Sequence, residues 1–217
     1  MQYKIAIAGR FRRGKDTLAD MLSAELGIAH AVVRLAFADA RTYELSEMVY
    51  DYIHEPSCME ASCQNPDRDL EIWDATMRGW KDINGIGWQW WGEFRRSRTH
   101  EDYWITHPRF QAAYRNALKN SSSVIITDMC HHNELEWCKQ QGFYTVRVMG
   151  PEHGSAQDIR SNDHPSERHV GELKTHTVVF NDQTLADLKA SIHWTTAPAI
   201  RESAARQEKS GATSISD

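Results

Sequence analysis

Short apolar runs along the chain alternate with segments in which apolar residues recur every three or four positions. The apolar runs predict buried β-strands, and recurring positions such as Leu18, Leu22 and Leu26 predict helices that bury one face. Strands that alternate with helices are typical of a mainly parallel sheet flanked by helices. The predicted strands cover residues 5–8, 31–37, 123–127, 144–149 and 177–180, and the predicted helices lie near residues 18–26, 45–49, 88–98, 108–119, 133–141 and 185–192.

Two polar stretches interrupt this alternation. Residues 52–87 are irregular and contain prolines and glycines, so we interpret them as an insertion on the substrate side with a short helix near 70–77. Residues 150–172 are also polar, and we interpret them as a lid over a ligand site. The end of the chain has no periodicity. We therefore expect one domain over residues 1–194 and a flexible tail over 195–217.

Length and charge narrow the class of protein. The chain has 217 residues and a formal net charge of -5 at pH 7, which suits a single α/β domain and argues against a general nucleic-acid coat, although a local basic groove stays open. No apolar run approaches membrane-spanning length, so we expect a cytoplasmic protein with no membrane partner and with reduced cysteines. Cys58, Cys63 and His54 fit no strong zinc pattern.

The first predicted strand leads into a glycine-bounded loop. Gly9 is followed by four residues, then by Gly14, Lys15 and a predicted helix, which is the layout of a P-loop. Such a loop can turn its amides toward phosphate oxygens, while the lysine ammonium reaches the β- and γ-phosphates of ATP. The alternative is a strand, turn and helix with incidental glycines. The candidate ATP-binding residues are Gly9, Arg12, Arg13, Gly14, Lys15, Asp16 and Thr17.

The residues after the lysine depart from the usual P-loop pattern. Ser or Thr normally follows the lysine and binds Mg²⁺, but here Asp16 follows and Thr17 comes next. Either the Thr17 hydroxyl meets the metal or Asp16 acts through water. A further carboxylate, Asp128, directly follows a predicted buried strand, where P-loop enzymes hold the Mg²⁺ shell. The candidate Mg²⁺ residues are therefore Asp16, Thr17 and Asp128.

Other charged and aromatic residues suggest an acceptor site. Asp39 and Arg41 follow the second predicted strand, at the edge where ligands of α/β proteins gather, although an N-cap aspartate and a solvated arginine would give the same pattern. The segment 88–98 mixes tryptophans and arginines, which can stack a base and hold a phosphate or simply pack with surface arginines. We assign the acceptor to Asp39, Arg41, Trp91, Arg95 and Arg96; Asp39 is also the candidate general base, and Arg160 is the candidate lid cation.

Several motifs together resemble the tailed-phage deoxynucleoside monophosphate kinases. The resemblance covers roughly residues 3–193 and implies a nucleoside-monophosphate-kinase-like fold, ATP and Mg²⁺ as donor, and a deoxynucleotide as acceptor. It also implies that Trp104 belongs to the acceptor side. The matching pieces are the loop at 9–17, LAFAD at 35–39, WGE at 91–93, DYWI at 102–105, IITD at 125–128, NE at 133–134, DHPSE at 163–167, FND at 180–182 and LADL at 185–188.

Two positions depart from the pattern of that family. The family usually has arginine two residues after the strand-end aspartate and another before the proline that opens the lid, and this chain has Cys130 and Gly150 there. Both arginines would help to hold phosphate. Arg147, Arg160 and Arg168 are candidates to compensate, and an acceptor other than an ordinary mononucleotide stays open.

The function hypothesis is ATP- and Mg²⁺-dependent phosphoryl transfer to a deoxynucleoside monophosphate. One alternative is a kinase of the same fold that acts on a hydroxymethylpyrimidine base in DNA. Another is a nucleotide-binding regulator that transfers no phosphate, which the presence of Lys15 and Asp128 argues against. A phage-encoded enzyme would act in the cytoplasm of the infected bacterium, and the sequence leaves a homodimer open.

Overall fold

The computed structural model describes residues 2–53, 85–151 and 165–213. The predicted helix near 70–77 and most of the predicted insertion lie outside these residues. So does the central part of the predicted lid, including Arg160.

Among the described residues, the strands form one parallel sheet of five strands in the order β2-β3-β1-β4-β5. The most central strand, β1, is the apolar run that sequence periodicity predicts, and Ala6, Ile7 and Ala8 are fully buried. Parallel strands need crossover connections, which here contain helices. The strands are β1 (Lys4–Ala8), β2 (Val32–Leu35), β3 (Ser123–Met129), β4 (Tyr144–Met149) and β5 (Thr177–Phe180).

Helices occupy most of the remaining described chain. Those over 15–25, 108–119 and 132–140 match predicted helices closely. A π-helical turn over Ile192–Thr196 joins the last two helices. The helices are α1 (Lys15–Glu25), α2 (Phe37–Ile53), α3 (Gly85–Arg98), α4 (Tyr103–Thr106), α5 (Pro108–Lys119), α6 (His132–Gln140), α7 (Pro165–Val170), α8 (Leu185–Ser191) and α9 (Ala197–Thr213).

The sheet buries both of its faces. Successive residues of a strand point to opposite faces, so Ile5 and Ile7 pack in a cluster with α1, α8 and α9, while Ala6 and Ala8 pack in a cluster with α2, α4, α5 and α6. The predicted α/β class with a mainly parallel sheet is therefore confirmed. Helices on both faces are compatible with the predicted three-layer fold.

The second strand is shorter than predicted. The apolar run at 31–37 predicts a strand through Phe37, but β2 ends at Leu35 and α2 begins at Phe37. The first turn of a helix has backbone N–H groups without intrahelical partners. Asp128 satisfies two of them, since its Oδ1 accepts from the Phe37 amide at 2.9 Å and its Oδ2 accepts from the Ala38 amide at 2.7 Å. A carboxylate 91 residues away along the chain thus sets the start of α2.

The prediction of a flexible tail from residue 195 is wrong for most of that segment. Residues Ala197–Thr213 form α9. Ala197 and Ile200 are almost fully buried in the cluster that also contains α1 residues, and Ala204 joins them. These residues, with Ile192, repeat at helical spacing, so the apolar stripe of the last predicted helix continues beyond Trp194.

The strand order reverses at β1. The chain leaves β1 to build β2 and β3 on one side and then crosses to build β4 and β5 on the other. Ligands of open α/β sheets bind outside the carboxyl ends of the strands at such a reversal of strand order. Among the described residues, no helix combines the length and the apolar character needed to cross a membrane.

We predict that Ile200→Ala lowers the free energy of unfolding by about 2–5 kcal/mol, because it removes a buried branched side chain from beneath the sheet. The matched control is Arg206→Ala in the same helix, which removes an exposed ion pair with Glu202 and should cost less than about 1 kcal/mol. Urea denaturation followed by circular dichroism measures both. Equal midpoints for the two variants would mean that α9 does not pack as described.

Candidate functional site

A cleft of about 670 Å³ opens at the carboxyl ends of β1 and β3. One wall is the glycine loop, residues 9–14, with the first turn of α1. A second wall is formed by residues of α2 and α3, and the floor by the end of β3 and the start of α6. Residues from both the predicted donor set and the predicted acceptor set therefore line one cavity.

Close packing explains the two glycines of the loop. A Cβ on Gly9 would lie 2.5 Å from Cγ1 of Val148, so no larger residue fits between β1 and β4. Gly14 has φ of 87°, a left-handed conformation that favours glycine, and it caps α1. The Asn181 amide supports the loop from β5 by donating to the Arg13 carbonyl at 3.2 Å.

Lys15 is held against the loop. Its ammonium donates to the carbonyls of Gly9 at 2.9 Å and Arg10 at 2.8 Å, and it lines the cleft. Burial lowers the pKa of Lys15, and the nearby carboxylates, of which Glu167 contributes most, oppose that shift. A cation with this partial desolvation interacts strongly with any anion that enters the cleft.

Glu167 reaches the same loop from α7. Its Oε2 accepts from the Phe11 amide at 3.1 Å. Backbone amides of a glycine loop can donate hydrogen bonds to a bound anion. Here the side-chain carboxylate of Glu167 accepts such a hydrogen bond. The carboxyl-terminal part of the predicted lid is thereby connected to the loop that it was expected to cover.

The predicted Mg²⁺ residues share the cleft. Asp16 and Thr17 lie in the first turn of α1, and Asp128 lies in β3; all three line the cavity. Carboxylate and hydroxyl oxygens are ligands that Mg²⁺ prefers, so this set fits the ion. Both oxygens of Asp128 accept hydrogen bonds from amides of α2. This carboxylate therefore has a structural role in addition to any role in metal binding.

Asp128 has a strongly perturbed acidity. Burial raises the pKa of Asp128 to about 6, and the neighbouring Glu134 carboxylate adds to the rise, while the amides of Ala38 and Phe37 oppose it. Glu134 behaves differently. Burial alone would raise its pKa, but His131, the Arg96 guanidinium and two backbone amides outweigh burial and lower it.

Part of the cleft lining is a stripe of α3 together with residues of α2 and α4. Trp88, Gln89, Gly92, Glu93 and Arg96 line the cleft at the spacing of one helix face. The Arg96 guanidinium forms an ion pair with Glu134, and their side chains are only 11% and 1% exposed. An arginine fixed in this way presents a positioned positive charge to the cleft.

The predicted acceptor residues fall into two groups. Arg95 lies on another face of α3, where it binds Glu44 and donates to the Tyr103 hydroxyl at 2.8 Å, and its guanidinium lies over the Trp91 ring. Asp39 accepts from the Ala36 amide at 3.2 Å. Arg41, Arg96 and Trp104 line the cleft, whereas Asp39, Trp91 and Arg95 are not among its lining residues.

The two predicted ATP-binding arginines of the loop, Arg12 and Arg13, line different cavities. Arg12 lines the cleft, while Arg13 donates to the Gly150 carbonyl and lines a smaller cavity behind the loop. Arg13 thus binds the backbone at Gly150, the position at which the resembled family usually has an arginine.

Sequence reasoning missed several residues of the cleft. Trp88 and Gln89 carry a signal, because they lie one and two turns before Gly92 and Arg96 on the same helix face. Glu134 carries another, since it is three residues after His131 and forms a capping box with it at the start of α6. The contact of Glu167 with the loop has no sequence signal that we recognise.

Comparison with known proteins adds no family assignment. A scan against protein-family models finds no match to this chain, and a search of curated proteins finds none either. The functional interpretation therefore depends on the geometry of the cleft and on the sequence motifs.

We predict that Asp128→Asn changes how stability depends on pH. The pKa of about 6 in the folded protein lies above the ordinary value of 3.8, so the folded state binds this proton more tightly than the unfolded state. The contribution of Asp128 to stability is therefore fully present below about pH 4 and declines as the pH rises to about 6.

The measurement is the free energy of unfolding of both proteins between those two pH values. The difference between wild type and Asp128→Asn should shrink or reverse as the pH rises. Parallel curves for the two proteins would show that Asp128 does not titrate in this range.

Proposed function

We propose that the protein is an ATP- and Mg²⁺-dependent kinase that phosphorylates a deoxynucleoside monophosphate to the diphosphate. The single observation that carries the proposal is the cleft itself. The glycine loop, Lys15, Arg41, Arg96 and Asp128 all line it. Phosphoryl transfer needs this kind of positioning and charge neutralisation more than it needs covalent chemistry by the protein.

The donor half of the proposal rests on the loop. The amides of residues 10–15 and the start of α1 would bind the phosphates of ATP, and Lys15 would move from the loop carbonyls to the β- and γ-phosphates. Asp16, Thr17 and Asp128 would hold Mg²⁺. When bound, the ion neutralises charge on the phosphates during transfer.

The ATP phosphates would have to displace Glu167 from the loop. Its carboxylate and a phosphate oxygen compete for the same kind of donor at the Phe11 amide. We therefore propose that α7 moves when ATP binds, as part of the predicted lid, and that Arg160 belongs to the cations that close with it.

The acceptor half rests on α2 and α3. Arg96 and Arg41 would bind the monophosphate, and Trp88 and Trp104 would form apolar walls for the base. An oxygen of the acceptor phosphate would then attack the γ-phosphorus, and ADP would leave. Asp39 accepts a hydrogen bond from the Ala36 amide and is not among the residues that line the cleft, so its proposed role as general base has less structural support than the proposed phosphate binding by Arg41 and Arg96.

Formation of ADP tests the proposal directly. Wild-type protein is incubated with ATP and Mg²⁺ and with each deoxynucleoside monophosphate in turn, or with duplex DNA that contains hydroxymethylpyrimidines. We expect turnover on at least one monophosphate, with the diphosphate as product. Turnover on the modified DNA alone would support the alternative acceptor, and ATP binding without any transfer would support a regulator.

We predict that Lys15→Ala lowers kcat by at least about 100-fold, or about 2.7 kcal/mol in the barrier, because the γ-phosphoryl group loses its nearest cation. The matched control is Lys174→Ala, which removes an exposed lysine outside the cleft. Both variants should keep the wild-type melting temperature. Residual turnover above about a tenth of wild type in folded Lys15→Ala would remove Lys15 from the mechanism.

We predict that Arg96→Lys raises the KM for the acceptor by about tenfold or more with a smaller change in kcat, since a lysine keeps the charge but loses the planar fork. Lysine is the safer substitution, because alanine would leave Glu134 buried without its cation.

Arg98→Lys is the matched control for Arg96→Lys. Arg98 is an exposed arginine on the same helix, and its guanidinium lies over the Phe94 ring. Equal KM values for both variants and wild type would place the acceptor elsewhere.

A further inference from the structure

A cluster of metal-ligating side chains lies at the floor of the cleft. The sulfur of Cys130, a ring nitrogen of His131 and a carboxylate oxygen of Glu134 are all within 4.8 Å of one another. His169, from α7, faces His131 with 3.4 Å between the two Nδ1 atoms. Cys130 and His131 line the cleft, and nothing in the proposed phosphoryl transfer uses any of these side chains except Glu134.

The donor atoms differ from those of the proposed Mg²⁺ site. A thiolate and imidazole nitrogens are ligands for borderline-soft ions such as Zn²⁺, whereas Mg²⁺ prefers oxygen. Zinc binds imidazole nitrogen at about 2.0–2.1 Å, so two nitrogens on one tetrahedral zinc are about 3.4 Å apart. The two facing imidazoles already have this separation.

The sulfur needs only a small movement. With a zinc–sulfur bond of about 2.3 Å, sulfur and nitrogen on the same ion are about 3.6 Å apart. Cys130 and His131 present their ligand atoms within 4.8 Å, so these two would approach each other by about 1 Å. His169 is not part of that group, so its ring, which faces His131, would also have to turn toward the sulfur. Rotation of the Cys130 side chain can supply a movement of that size.

Glu134 is better suited to positioning than to ligation. Its Oε2 accepts from the backbone amides of Cys130 at 2.8 Å and His131 at 3.0 Å, and its other oxygen is paired with Arg96. The carboxylate thus fixes the backbone that presents two of the ligands. Its ion pair also offsets part of the guanidinium charge and so weakens the repulsion of a cation nearby.

We propose that Cys130, His131 and His169 form a three-ligand site for Zn²⁺ whose fourth position faces the cleft. The hydrogen bond between the two imidazoles is then replaced by two bonds to the ion. A site with three protein ligands keeps a position for water or for an oxygen of a bound ligand. The ion would join α7 to the start of α6 in the conformation described, in which Glu167 accepts from the Phe11 amide.

Cobalt titration tests this proposal without any enzyme assay. The protein is used at full length, without a histidine tag, and in a Cys58→Ser/Cys63→Ser background that removes the other pair of closely spaced cysteines. Metal-free protein is titrated with Co²⁺, whose thiolate charge-transfer band and intense visible bands report tetrahedral ligation by sulfur. Addition of Zn²⁺ should then remove both signals.

We expect about one equivalent of Co²⁺ per chain, loss of the charge-transfer band in Cys130→Ser, and an affinity at least about tenfold weaker in His169→Asn. The matched control is His132→Asn, which alters the exposed histidine next to His131 and should leave binding unchanged. Circular dichroism checks the fold, and His169→Asn decides the outcome if Cys130→Ser does not fold.

Absence of the bands in the parent protein would overturn the site, and so would an unchanged titration in both ligand variants. Loss of binding in His132→Asn with retention in His169→Asn would also overturn it. None of these outcomes depends on whether the protein transfers phosphate.

Discussion

The structure depends on one constraint, which is the need to satisfy backbone N–H groups at the starts of helices. In a parallel sheet with helical crossovers, the carboxyl ends of the strands and the amino ends of the following helices meet at the same edge. The orphan amides of several helices are therefore collected there. Two carboxylates accept hydrogen bonds from these amides: the half-buried Asp128 accepts from the first amides of α2, and the buried Glu134 accepts from the amides that precede α6.

The same constraint makes this edge receptive to anions. The glycine loop presents an amide that Glu167 occupies, and Lys15 lies against the carbonyls of the same loop. On the opposite wall Arg96 is fixed by a carboxylate that the fold already requires at the start of α6. A helix-capping requirement thus positions the charges that the proposed kinase would use on its acceptor. The proposed zinc ligands also depend on it, since Glu134 orients the backbone of Cys130 and His131.

Local sequence patterns were sufficient for most of the sheet and for the glycine loop. Apolar runs located the five strands of the described sheet, because helices cover both faces of the sheet and most strand positions are therefore apolar. The start of α2 was not predictable, because it depends on Asp128, which is distant in sequence. The sequence also could not show which of the adjacent residues Arg95 and Arg96 lines the cleft, since both lie in the same run of aromatic residues and arginines. Only the turn of α3 shows that one meets Glu44 and the other meets the cleft.

The central claim is that a single cleft binds both substrates of a phosphoryl transfer. The most direct measurement is the affinity of a bisubstrate analogue in which adenosine and a deoxynucleoside are joined by five phosphates, compared by calorimetry with ATP and with the monophosphate. If one cleft binds both halves, the analogue should bind at least about 100-fold more tightly than either part, because the second contact becomes intramolecular. An analogue that binds no more tightly than ATP alone would contradict the account.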